Sequence, residues 1–250
     1  MFKMLPIPPR RFVTFLNYCQ RKLDFFSTVK LGGREIKFLL RSTISWKRIN
    51  TFHTKEPETI SWICSMDSRD IFVDIGANIG IYTVPAAIRC KKVYAFEPLI
   101  ENISTLHQNI LLNKLKNVCI FPFGISIRTG ASVFFVANSQ IGAAGNSIGC
   151  PLSEDGVYRE IDERRDIFVV GPDVIKDIVE GDRLHVKIDV DGNESDCLRA
   201  LEPCIERVVS ILVESNPRSS DVPELLGRWG FYPTHRFGVG RKNLIYVRNG

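Results

Sequence analysis

Hydrophobic positions recur along this chain with two different periods, and the changes of period mark its elements. From residue 71 onward, short apolar runs alternate with stretches whose apolar residues fall three and four apart. This predicts strands over 71–75, 92–96 and 117–121 and helices over 79–89 and 99–112. Two more strands are predicted at 184–189 and 207–213 around a helix over 193–203, and Asn243-Leu244-Ile245-Tyr246-Val247-Arg248 reads as a last one. Apolar strands alternating with helices build a mostly parallel sheet covered on both faces. The chain is therefore predicted to be a doubly wound α/β fold whose ligands sit beyond the carboxyl ends of the strands.

The pattern before and between these elements is different. Residues Phe12 to Phe26 place Phe12, Phe15, Leu16, Cys19, Leu23 and Phe26 along one side of a helix, which docks on the main domain or meets a membrane surface. Val29 to Phe38 reads as a hairpin turning at Gly32-Gly33. A helix over 55–66 has Pro57 at its first position and an apolar face of Ile60, Ile63 and Cys64. This divides the chain into a basic helix-and-hairpin extension, 1–54, and a main domain, 55–250. Residues 126–165 are less regular, with short β segments and the glycine-rich run Ile141-Gly142-Ala143-Ala144-Gly145-Asn146-Ser147-Ile148-Gly149.

Composition narrows the classes. In 250 residues, 44 % of them hydrophobic, there is core enough for one large domain. The net charge is +5, and most of the excess lies before residue 49, in residues such as Arg10, Arg11, Arg21, Lys22, Arg41 and Arg48. That segment meets an anionic substrate or a membrane face, or simply keeps the surface solvated. Elsewhere acids and bases are mixed, without the basic stripe a nucleic acid requires, so no nucleic-acid partner is expected. No apolar run approaches the ~18 residues of a membrane span, and the N-terminus is a poor signal peptide. Seven cysteines without a C-x-x-C pair read as reduced thiols of a cytoplasmic protein. The four histidines have no zinc-site spacing, and no metal is predicted.

Two runs carry the chemistry. In Val73-Asp74-Ile75-Gly76-Ala77-Asn78-Ile79-Gly80, a strand ends in a tight loop, and Gly76 and Gly80 let the backbone turn and a ligand approach. Asp74 stands at the strand's end, where it can orient loop amides or reach a cationic ligand. The next strand, Val93-Tyr94-Ala95-Phe96-Glu97-Pro98, ends in Glu97, 21 residues after Gly76, where an acid holds both hydroxyls of an adenosine ribose. Asn78 occupies the place of the second glycine of the dinucleotide fingerprint, the one that admits a pyrophosphate. This favours S-adenosyl-L-methionine over NAD. Phe123 and Gly124, after the third strand, lie where the chain passes an adenine ring. Phe123 stacks on that ring or packs in the core.

The second run, Val186-Lys187-Ile188-Asp189-Val190-Asp191-Gly192-Asn193-Glu194, sets Lys187, Asp189 and Asp191 on one side of a strand and its exit. A buried strand does not carry that pattern without partners. Asp189 faces the amino-acid part of the cofactor or the substrate. Lys187, Asp191 and Glu194 are candidate substrate binders, with Lys187 also readable as an ion-pair partner and Glu194 as an acid suited to a helix start. Glu214, closing Ile211-Leu212-Val213-Glu214, rims the same crevice. Where the acceptor is an alcohol, a base must take its proton. Asp189, Glu214 and the late-loop His235 are the candidates, although His235 reads more readily as an ordinary exposed loop residue.

At these residues the chain resembles the FkbM family of S-adenosylmethionine-dependent methyltransferases. The resemblance runs from Glu56-Pro57-Glu58-Thr59 and Trp62-Ile63, through Val73 to Gly80, Ala95-Phe96-Glu97-Pro98 and Lys187 to Glu194, to Leu212-Val213-Glu214, about residues 55–215. It implies a Rossmann-like class I methyltransferase fold with seven strands, the last antiparallel, and methyl transfer usually to a hydroxyl oxygen. The family's run usually reads D-V-E-G-x-E. Here Asp191 replaces the first Glu, shortening its reach by ~1 Å. The expected acceptor is a hydroxyl of a sugar or glycan, free or lipid-linked. A small natural product or an amine is the alternative acceptor, and a non-catalytic nucleoside-binding scaffold or an NAD-dependent dehydrogenase is the reading from other classes.

Overall fold

The computed structural model describes residues 25–153, 155–237 and 242–248. The helix expected over 12–26 lies outside the described residues except at its end, where Phe26 instead opens a strand. β1 (Phe26–Leu31) and β2 (Arg34–Leu39) form the expected hairpin, with Gly32 and Gly33 both at positive φ, as a two-residue turn between twisted strands requires. α1 (Thr43–Asn50) follows. It starts with a reciprocal cap, in which Ser45 N–H donates to Ser42 Oγ (2.9 Å) and Ser42 N–H donates to Ser45 Oγ (2.8 Å). Of its residues only Ser45 and Ile49 are buried, so no apolar face announces it in the sequence. α2 (Pro57–Cys64) has Pro57 in its first turn, where a missing N–H is harmless.

The main alternation then begins: β3 (Ile71–Ile75), α3 (Thr83–Arg89), β4 (Lys92–Phe96), α4 (Ile100–Leu112) and β5 (Val118–Phe121). α3 starts four residues later than the spacing predicts, after a turn in which Gly80 has φ +85°. The chain next builds β6 (Gly124–Ile125), β7 (Gly130–Val136), β8 (Ser147–Ile148) and β9 (Glu163–Val170), a separate four-stranded sheet in the order β6-β9-β7-β8. It returns through α5 (Pro172–Ile178), β10 (Leu184–Ile188), α6 (Glu194–Ala200), a 3-10 turn (Glu202–Arg207), β11 (Val208–Glu214), α7 (Val222–Arg228), β12 (Phe231–Thr234) and β13 (Asn243–Arg248).

The main sheet runs β5-β4-β3-β10-β11-β13-β12, with β13 antiparallel to both neighbours. β3 is buried throughout. Its Val73 and Ile75 pack with Val186, Ile188, Leu198 and Ile211, while Phe72 packs on the other face with Trp62, Val84, Leu106 and Leu212. Helices therefore cover both faces, as the alternation predicts. The connections from β3 pass to β4 on one side and the later strands add on the other, which opens a crevice above the carboxyl ends of β3 and β10.

The hairpin packs against the later part of α4. Ile36 and Phe38 are fully buried in the same core as Phe72, each worth about 1.5–3 kcal/mol. Leu39 N–H donates to Asn109 Oδ1 (2.8 Å), and Asn113, the C-cap of α4, exchanges bonds with the Lys37 backbone. Among the described residues, no helix is long and apolar enough to cross a membrane.

Candidate active site

The crevice begins with a close approach. A Cβ on Gly76, which has φ +81°, would lie 2.0 Å from the Asp189 carbonyl oxygen, so only glycine lets the ends of β3 and β10 meet. Gly80 has a different reason. Its Cβ would strike Leu106 of α4, and it borders neither cavity, so it serves helix packing rather than ligand approach. Asn78 adopts φ +52°, a conformation asparagine tolerates better than most residues. Its N–H donates to Glu97 Oε2 (2.8 Å), and its Nδ2 donates to the Ala143 carbonyl (2.8 Å).

Glu97, 5 % exposed, also accepts from Leu99 N–H (3.0 Å) and Asn102 Nδ2 (3.3 Å). Burial pushes its carboxyl above the usual range, against the pull of these donors. Each oxygen of a carboxylate takes more than one donor, so Glu97 retains capacity for ribose hydroxyls. It borders a narrow slot of about 70 Å³ whose far end is apolar, between Phe96, Phe123, Phe134 and Ile148. Phe123 borders the slot and also packs against the sheet core. Gly124 borders the slot where a Cβ would press within 2.8 Å of Ile148.

The glycine-rich run forms the slot's lid. Gly142 N–H donates to Asn102 Oδ1 (2.9 Å), Arg48 Nε donates to the Gly142 carbonyl (2.5 Å), and Gly145 N–H donates to Asp191 Oδ2 (2.7 Å). Beyond the lid the slot meets a second cavity of about 590 Å³, and both are bordered by Arg48, Ala144, Asp189 and Asp191. Polar residues surround this basin: Lys55, Glu56, Glu58, Glu214, Lys242 and Asn243. Glu214 Oε1 lies 3.4 Å from Lys242 Nζ.

Beneath the junction lies a buried charge cluster. Lys187, 1 % exposed, donates to Asp189 Oδ2 (3.1 Å) and lies 3.8 Å from Asp74 Oδ1 on the neighbouring strand. Burial opposes its charge, but Asp189, Asp74 and Glu56 outweigh that and raise it above the ordinary lysine range. Burial would likewise raise Asp189, yet Lys187, with Lys55 and Arg48 behind it, holds that carboxyl down at about 2. Asp189 is thus a fixed anion at the junction and a weak base. Burial lifts the Asp74 carboxyl, which accepts from Thr83 Oγ1 (2.5 Å) at the start of α3.

The sequence-predicted residues therefore fall into two groups. Gly76, Asn78, Glu97, Phe123, Gly124, Asp189, Asp191 and Glu214 border the cavities. Lys187 and Asp74 lie below the floor as ion-pair partners, outside both linings. Glu194 is fully buried, accepting from Gly192 N–H (3.0 Å) and Ser219 Oγ, so its carboxylate holds the turn instead of facing an acceptor. His235 is exposed after β12 and borders neither cavity. Sequence reasoning named Arg48 only as part of the basic segment and missed Asn102 and Asn146. Only the glycine-rich run hinted at the wall they support.

A flat apolar end, a buried carboxylate beside it and a charged junction match adenine, ribose and a methionyl tail in turn. With seven strands, one antiparallel, around this slot, the fold is that of a class I S-adenosylmethionine-dependent methyltransferase. More narrowly, the chain belongs to the FkbM methyltransferase family, for it matches the Methyltransferase FkbM domain over residues 74–231, more than half its length. Among solved structures, methyltransferase FkbM from Methylobacillus flagellatus KT is 15 % identical, covering 80 % of this chain and 59 % of its own, with a TM-score of 0.47. A Streptococcus mutans methyltransferase in complex with SAH is 12 % identical, covering 76 % of this chain and 94 % of its own, with a TM-score of 0.46. At TM-scores below 0.5, neither bears on what this chain does. No curated protein matches it.

Proposed function

We propose that the chain methylates a hydroxyl of a sugar or glycan. The observation that carries this reading is the basin, a polar cavity bordered by Glu56, Glu58, Glu214 and Asn243 that joins the cofactor slot at Asp189 and Asp191. Such a wall suits a hydroxyl-rich acceptor, whose donors and acceptors need partners once water is displaced. S-adenosylmethionine, held by Glu97, Asn78 and the lid, supplies an electrophilic methyl group. The acceptor hydroxyl must then lie in line with that group and give up its proton. Asp189, a weak base, orients the acceptor hydroxyl or the cofactor's amino group. Glu214, at the end of the strand next to that of Asp189, takes the hydroxyl proton. A cytoplasmic setting is supported by the six described cysteines, all free thiols.

The test is to incubate the purified protein with methyl-labelled cofactor and a panel of glycans, sugar phosphates, lipid-linked sugars and amines. Label on a glycan as an alkali-stable ether, lost in Glu214→Gln, is the expected result. Label only on amines would overturn it.

A further inference from the structure

We propose that Arg48 holds the carboxylate of the cofactor's methionyl tail, so that a helix preceding the family-matched part of the chain completes the cofactor site. This rests on S-adenosylmethionine occupying the slot. The ribose position is set by Glu97, so the sulfur and its tail must leave the slot at its opposite, charged end, where Arg48 and Asp189 border both cavities. The slot and the basin meet at that end, so the tail extends into the junction.

The charges there are complementary to that tail. It carries an ammonium and a carboxylate on one carbon, and the junction offers a fixed carboxylate, Asp189, and a guanidinium. Arg48 is anchored by one end only. Its Nε donates to the Gly142 carbonyl, while its terminal amino groups make no hydrogen bond or ion pair with another described residue. A half-buried arginine with its fork left over is suited to bidentate capture of a carboxylate. Of the basin's other cations, Lys55 is paired with Glu56 (2.7 Å) and Lys242 with Glu214 (3.4 Å), which leaves Arg48 for the task.

The experiment compares S-adenosylmethionine with its decarboxylated form, which differ only in the carboxylate, by calorimetric titration of the wild type and Arg48→Gln. The wild type is expected to prefer the carboxylated ligand by about 10- to 100-fold, and Arg48→Gln to bind both within about twofold of each other. If Arg48 merely supports the lid, the variant weakens both ligands alike and keeps the wild-type ratio, which overturns the proposal. A wild type without preference overturns it too. Binding of neither ligand by the wild type would instead refute the cofactor reading on which the proposal stands.

Discussion

A carboxylate as deeply buried as Glu97 is engaged by its neighbours before any ligand arrives. Replacing it with alanine removes the acceptor of the Asn78 and Leu99 amides, at about 1–3 kcal/mol for buried donors left unpaired. It also removes the ribose partner. Glu97→Ala is therefore expected to weaken S-adenosylhomocysteine about 10- to 100-fold by calorimetry and to lower the urea midpoint, while Glu97→Gln, which keeps one oxygen acceptor, loses less of both. Unchanged affinity in Glu97→Ala would remove Glu97 from the ribose site. Asp189 behaves differently because it neutralises a buried ammonium. Asp189→Asn leaves Lys187 with Asp74 alone and should destabilise the fold by about 3–5 kcal/mol. Adding Lys187→Met is expected to recover part of that stability without recovering turnover. Recovery of turnover as well would show that Asp189 serves only the fold. These cases mark what sequence can tell at this scale. The strand-end positions of Glu97 and Asp189 are legible, but nothing in a one-dimensional pattern says that Asp74, Lys187 and Glu194 have their charges satisfied inside the protein.

At the scale of elements, legibility follows burial. β3, β4, β10 and β11 stand out as apolar runs because they are covered on both faces, and α4 because one face meets the core. α1 and the lid are built otherwise. Arg48 meets Gly142 across 94 positions, Asn78 meets Ala143 across 65 and Asp191 meets Gly145 across 46, all through side-chain bonds to backbone. No local period encodes such contacts. Asn102 is the most central of these ties, since one amide serves both Glu97 and Gly142. Asn102→Ala should therefore release the lid: hydrogen exchange over residues 141–146 quickens, amides of β10 keep their protection, and S-adenosylhomocysteine binds more weakly. Unchanged exchange in the lid would show that its remaining ties suffice.

The whole molecule separates its reacting end from a second polar cluster at the amino-terminal end of the same sheet. There Trp62 Nε1 donates to Ser210 Oγ (2.8 Å), Ser210 Oγ lies 2.6 Å from His185 Nδ1, and His185 Nε2 lies 3.4 Å from Asp70 Oδ2. A proton on Nε2, which faces Asp70 without a hydrogen bond, leaves Nδ1 to accept from the serine with the ring neutral. Burial lowers the affinity of His185 for a second proton, and although Asp70 opposes this, Arg183, bonded to Asp70 (2.7 Å), helps it. The unfolded chain, whose histidine titrates near 6.5, thus binds a proton that the folded chain refuses. Stability from this residue is complete above pH 6.5 and is lost as pH falls from there toward the depressed folded value, by at most about 1.4 kcal/mol per pH unit. Burial also raises the carboxyls of Glu97 and Asp74, so the informative quantity is the difference between wild type and His185→Gln. The urea midpoint of the wild type should fall relative to that of the variant between pH 7.5 and 5.5, with affinity for S-adenosylhomocysteine equal in both at pH 7.5. Parallel midpoints across that range would mean that His185 keeps its proton affinity on folding, and a loss of ligand affinity would tie this end of the sheet to the reacting one.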